Sequence, residues 1–261
     1  TYLEGSLDFG SGAGKTLYIA SDLVRLNDSS AIASTKISAN AEANLIDING
    51  DNKSIIQGFT LTGVTATGYY STVLSLKSLA NLTFRDIIIS GNATNTNYVR
   101  SMAMWVDNSS PEFDNVKILG HGNSSTSPYG VVMINGSSSN VKFNDVVWKD
   151  NYSSNYGVLY FQSNAKAVLT NNVFIDNSSQ GSGVIYLNGS TNKLALINST
   201  VANNLDITRS IIQMEGSTNT TILINSILGK SSSGNNQFRI PGVAGNKVYS
   251  RNSILPYGIL G

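Results

Sequence analysis

The chain has 261 residues, with 17 Lys+Arg against 16 Asp+Glu and a net charge of +1. It has no polybasic run, so a nucleic-acid partner is not expected, since phosphate binding needs clustered cations. No Cys is present and His121 is the single His, which excludes disulfides and thiolate chemistry and leaves no metal or cofactor site to expect.

Charged residues make up only 13%, while 32 Asn, 37 Ser and 19 Thr supply most of the polar surface. No apolar run reaches the roughly 18 residues needed to span a membrane. No secretory leader is visible, and Thr1 reads as a trimmed start. Residues 1–44 read as an entry segment with a first irregular coil. Within them Gly10-Ser-Gly-Ala-Gly-Lys-Thr16 resembles part of a phosphate loop, but three residues rather than four separate its outer glycines. It reads as a linker.

From residue 45 to 261 the chain repeats as one continuous domain. A β-rich run recurs around a small polar anchor at Gly58, Asp86, Asn115, Asp145, Asn171, Asn198, Asn225 and Asn252, at intervals of 26–30 residues. A second series keeps step with it: Thr72–Leu76, Ser101–Trp105, Gly130–Ile134, Gly157–Phe161, Gly183–Leu187 and Ser210–Met214. Each repeat holds three short β-patterned runs and no helical periodicity. Three strands of three to five residues in about 27 are too short for hairpin ladders. They fit one coil of a solenoid whose strands stack about 4.8 Å apart.

The predicted fold is therefore all-β, a single right-handed parallel β-helix of about 9–10 coils of 26–30 residues. Its inward columns are Leu74/Leu76, Ala103/Trp105, Val132/Ile134 and Leu159/Phe161 in the first strand. Phe84, Phe143, Leu169 and Leu196 face inward in the second, and Ile89, Ile118, Trp148, Phe174 and Val201 in the third. The anchor column ends in an Asn ladder, Asn171, Asn198, Asn225 and Asn252, whose corner needs a left-handed backbone that Asn tolerates.

A tight corner with an Asn ladder between the second and third strands resembles the pectate-lyase-like right-handed β-helix superfamily. Within it, Phe174-Ile-Asp-Asn177, with the looser Ile89-Ser-Gly-Asn92, Trp148-Lys-Asp-Asn151 and Val201-Ala-Asn-Asn204, resembles the Phe-x-x-Asn signature of polymorphic outer-membrane-protein and surface-adhesin repeats. Gly130-Val-Val, Gly157-Val-Leu and Gly183-Val-Ile resemble that family's Gly-Gly-Ala-Ile with one Gly instead of two. The resemblance implies an extracellular or cell-surface protein.

Twelve Asn-x-Ser/Thr sequons occur, where residue frequencies alone give about seven. The glycosylation candidates are Asn27, Asn52, Asn81, Asn92, Asn108, Asn123, Asn135, Asn151, Asn177, Asn188 and Asn219. Asn198 falls on the ladder and is expected to be buried. A glycosylated surface protein and an unmodified bacterial one both fit these counts.

Tyr70, Tyr98, Tyr129 and Tyr156 each precede a first strand, as a stripe that either contacts glycans or a partner, or shields the return loops. The outer side of the first strands, with Met104, Met133, Tyr160 and Tyr186, reads as an exposed apolar strip and hence an interface. Val73, Met102, Val131, Val158, Val184 and Ile211 read as lying beside it. Lys77, Asp107, Glu215 and Arg239 are scattered over the same surface, with no carboxylate pair suited to glycoside cleavage. His121, in a return loop, reads as solvated.

The expected function is a non-catalytic structural subunit of a surface fibre, sheath or adhesin stalk, self-associating through its flank or its open ends. The alternatives are a carbohydrate-binding module and, with less support, a polysaccharide lyase or hydrolase.

Overall fold

The structure is a computed structural model. It describes residues 2–4, 7–8, 18–21, 30–39, 44–50, 53–66, 72–94, 99, 101–122, 130–206, 210–229, 238–240, 245–255 and 259–260. Tyr70, Tyr98, Tyr129, Asn27, Asn52, Asn123 and the segment 10–16 lie outside the described residues.

Among the described residues every strand pairing is parallel, and the chain winds as a β-solenoid. The first strands form a ten-stranded sheet that includes Ile46–Asn49, Leu74–Lys77, Met104–Asp107, Val132–Asn135, Leu159–Gln162, Ile185–Leu187, Ile212–Met214 and Phe238–Arg239. The register runs Leu74, Met104, Val132, Leu159, Ile185, Ile212, Phe238, which is six turns of 26–30 residues each. Second and third strands share a sixteen-stranded sheet. They run together in Thr83–Ser90 and Glu112–Leu119, and separate from Asn140–Asn144 and Val147–Lys149 onward. Strands before residue 45, including Tyr2–Glu4 and Lys36–Ala39, join the same sheets. The one described helix is Ser30–Ser34.

The alternation of residues fixes the core. Phe84, Phe113 and Phe143 stack with ring centroids 5.0–5.1 Å apart, and Trp148 lies flat on Phe174 at 4.8 Å. All the named second- and third-strand core residues are buried.

The first strand of one coil departs from expectation. Met104 pairs with Leu74, Trp105 with Ser75 and Val106 with Leu76. Met104 and Val106 therefore point into the core and Trp105 points out. The stretch before this strand carries one extra residue, and a one-residue slip moves every side chain to the other face.

The anchor corner behaves as its sequence requires. Asp86, Asn115, Asp145, Asn171, Asn198, Asn225 and Asn252 all have φ between 49° and 58°, the left-handed region that short polar side chains tolerate. Asn198 Nδ2 donates to Asn171 Oδ1 at 3.4 Å and Asn225 Nδ2 to Asn198 Oδ1 at 3.2 Å. The ladder faces outward, so Asn198 is exposed rather than buried.

Three further columns line the inside of the corners. After the third strand, Asn92, His121, Asn151, Asn177 and Asn204 stack in successive coils. Beside the anchor stand Asn172, Ser199, Ser226 and Ser253. Between first and second strands come Ser109 and Ser139, then Asn192, Asn219 and Asn246. In each, a backbone N–H donates to the side-chain oxygen one coil on: Asn177 N to Asn204 Oδ1 at 3.0 Å, Ser199 N to Ser226 Oγ at 3.2 Å, and Asn192 N to Asn219 Oδ1 at 2.9 Å. Corners leave backbone groups that no ladder can satisfy, and each group left bare in the interior would cost about 1–3 kcal/mol.

Candidate functional site on the first-strand face

The outer side of the first-strand sheet holds most of the residues the sequence singles out. One register column runs Asp47, Ser75, Trp105, Met133, Tyr160, Tyr186, Gln213, Arg239. Trp105, Met133, Tyr160 and Tyr186 pack as a second apolar cluster, with Tyr156 against it. Tyr156 stacks on Tyr160 at 4.6 Å, and Tyr160 on Tyr186 at 5.5 Å.

This face is not the exposed strip the sequence suggests. Met133 is fully buried, and Tyr160 and Tyr186 keep only 3% and 7% of their surface. Met104 belongs to the interior core, as do Val73, Met102, Val131, Val158, Val184 and Ile211. Of the described interface candidates, Tyr156 alone is half-buried.

Polar groups are threaded through the cluster. Tyr186 OH donates to Glu215 Oε2 at 2.7 Å, and the Gln213 amide donates to Glu215 Oε1. Asn188 Nδ2 donates to Tyr160 OH at 3.1 Å. At the other end of the sheet, Lys77 Nζ lies 3.6 Å from Asp47 Oδ2. Lys77 is the register partner of Asp107, which accepts from Asn135 Nδ2 at 2.7 Å. Asp107 and Glu215 stand four coils apart, about 19 Å at roughly 4.8 Å per coil, against the 5–10 Å that glycoside hydrolysis uses. No group of three metal-ligating side chains occurs among the described residues.

The sequons divide sharply. Asn92, Asn151, Asn177 and Asn219 are 0–2% exposed, so they correct the expectation of accessible acceptors. Their amides are committed to the columns: Asn177 Nδ2 donates to Trp148 O at 2.8 Å, and Asn219 Nδ2 to Gly189 O at 2.9 Å. Asn108, Asn135 and Asn188 are half-buried and hydrogen-bonded. Asn81 is exposed, as is Asn198.

His121 is also corrected. It is fully buried, in the column position that Asn holds in neighbouring coils. Its Nε2–H donates to Ile89 O at 3.1 Å, the same bond that Asn151 Nδ2 makes to Ile118 O at 2.8 Å. Nδ1 faces the Asn92 amide at 3.5 Å. Burial penalises the charged imidazolium and lowers the pKa from the ordinary 6.5 to about 4, only partly opposed by the Ile89 carbonyl. A recurring three-residue offset accounts for the column. Ile89/Asn92, Ile118/His121, Trp148/Asn151, Phe174/Asn177 and Val201/Asn204 each place a core residue and, three positions on, a column residue.

Apart from this face, a cleft of about 260 Å³ lies against the short helix, between Ile32 and Ala33 and the corner residues Asp86, Asn115 and Lys117. No family model, no curated protein and no solved structure matches the chain.

Proposed function

We propose that the protein is a non-catalytic structural rod of the cell exterior. In this reading it is a self-associating subunit of a surface fibre, sheath or adhesin stalk, akin to pectate-lyase-like and polymorphic outer-membrane-protein β-helices. The observation that carries the reading is the commitment of side chains to the coil itself. Buried Asn, Ser and His121 side chains are bonded from coil to coil along three corners, and the Asp47–Lys77 pair and Glu215 are engaged with their neighbours. Such a lattice stiffens a shape more than it prepares a reaction. Electron microscopy of native material, with sedimentation of the purified chain across a concentration series, tests it. Filaments or ordered sheaths are expected. A monodisperse rod at every concentration, found free in the native material, would refute it.

A carbohydrate-binding module is the second reading, favoured by Tyr156, a half-buried ring stacked at the outer end of the buried Tyr160–Tyr186 pair. A ring backed in this way offers an aromatic surface to a ligand. Glycan-array binding that disappears in Tyr156→Ala would favour it over the structural rod.

A further inference from the structure

The outer side of the second strands carries a surface that the structural reading does not use. Four successive coils present a grid of three columns. The first is Lys166, Lys193, Thr220, Lys247, the second Val168, Ala195, Ile222, Tyr249, and the third Thr170, Ile197, Ile224, Arg251. All four cations are exposed. Val168, Ile222 and Tyr249 keep 36%, 37% and 53% of their surface. The grid contains no carboxylate.

The other half of the same face is built differently. There Arg85 pairs with Asp114 at 3.2 Å and Lys142 with Glu112 at 3.7 Å, each cation matched by an acid one coil away. In the grid, Lys166 and Lys193 are direct register partners. Like charges directly opposite in a ladder repel and destabilise it. None of the four cations makes an ion pair among the described residues. A grid that gathers four of the chain's 17 cations and none of its 16 acids calls for a negative partner.

From this charge pattern and its apolar centre, we infer that the grid docks the rod onto a lipid bilayer bearing anionic headgroups. The Lys column and Arg251 flank a middle column of Val, Ala, Ile and Tyr. A bilayer surface satisfies both parts at once, with headgroups at the rim and the apolar side chains against the acyl boundary. A soluble polyanion would neutralise the lysines and leave the middle column in water. A second copy meeting this face by a two-fold axis would set four cations against four.

Flotation of the full chain with vesicles tests the inference. Vesicles of phosphatidylcholine alone are compared with vesicles in which roughly a third of the lipid is phosphatidylserine. The chain is expected to float with the anionic vesicles and stay behind with the neutral ones, and to release as ionic strength rises from about 0.05 to about 0.5 M. The double variant K166Q/K193Q is expected to lower partitioning about thirtyfold. I222S should lower it at unchanged charge, and K142Q, in the paired half, should leave it unchanged. Circular dichroism establishes that each variant retains the fold. Equal binding to both vesicle types would overturn the inference, as would full binding by K166Q/K193Q. Full binding by I222S would also overturn it, pointing to a soluble polyanion, and so would a dimer that I222S dissolves. None of these outcomes bears on whether the rod forms filaments through other surfaces.

Discussion

Replacing His121 by Asn tests whether the corner column governs stability. In the folded chain the His121 pKa is lowered to about 4, against 6.5 in an ordinary environment. Between those values the unfolded chain takes up a proton that the folded chain excludes. Stability is therefore complete above about pH 7 and falls as pH drops toward 4. That difference corresponds to roughly 3 kcal/mol at full development. Through the linkage relation, the loss is roughly 1 kcal/mol at pH 5.5 and approaches roughly 3 kcal/mol by pH 4.5. His121→Asn should remove this slope, because the amide does not titrate and can make the same donation to Ile89 O. Urea unfolding of both proteins at pH 7.5, 5.5 and 4.5 measures it, the variant cancelling the contribution of the carboxylates. Equal losses in the two proteins over that range would show that His121 exchanges protons freely and is not held in the column.

Three other outcomes follow from the same geometry. Asn177→Ala strips the Trp148 carbonyl and the Asn151 N–H of their partners and should cost about 2–5 kcal/mol in chemical unfolding, whereas Asn171→Ala on the exposed ladder should cost clearly less. Phe143→Ala, which opens a hole between Phe113 and Trp148, should cost about 3–5 kcal/mol; a change below 1 kcal/mol would show the ring stack to be loosely packed. Expressed in a glycosylating host, the folded protein should carry glycan at Asn81 and none at Asn92, Asn151, Asn177 or Asn219, read by site-resolved mass spectrometry, and occupancy at Asn177 would contradict its burial.

The period was legible because each coil repeats the same three physical requirements: an apolar residue on alternate positions, a left-handed corner, and a small residue where coils approach. That is why Asn171, Asn198 and Asn225 line up as their spacing predicts. The phase of one strand was not legible, because Met102-Ala-Met104 offers no polar residue to mark which side faces water. The burial of the first-strand outer face had a signal that exposure reasoning overlooks. Val131-Val-Met-Ile134 and Val158-Leu-Tyr-Phe161 are continuous apolar runs, the pattern of strands covered on both sides. The sequons misled for a related reason. The interior column demands Asn three positions after a core residue, and Ser or Thr follows readily in the next short strand. Part of the sequon excess is thus a by-product of winding. The same three-residue offset from Ile118 identifies His121 as a column member, a clue hidden by its being a different residue type.

The corner columns give the rod a direction. Asn177 N–H donates to Asn204 Oδ1 in the coil ahead, while Asn204 Nδ2 reaches back to Phe174 O behind it, and Ser199 N–H donates to Ser226 Oγ, which reaches back to Leu196 O. Head and tail are therefore chemically distinct along the described coils, while each coil meets its neighbour through the same kind of bond. Duplicating or excising one complete winding would lengthen or shorten the molecule by a single step of about 4.8 Å and leave the polarity intact.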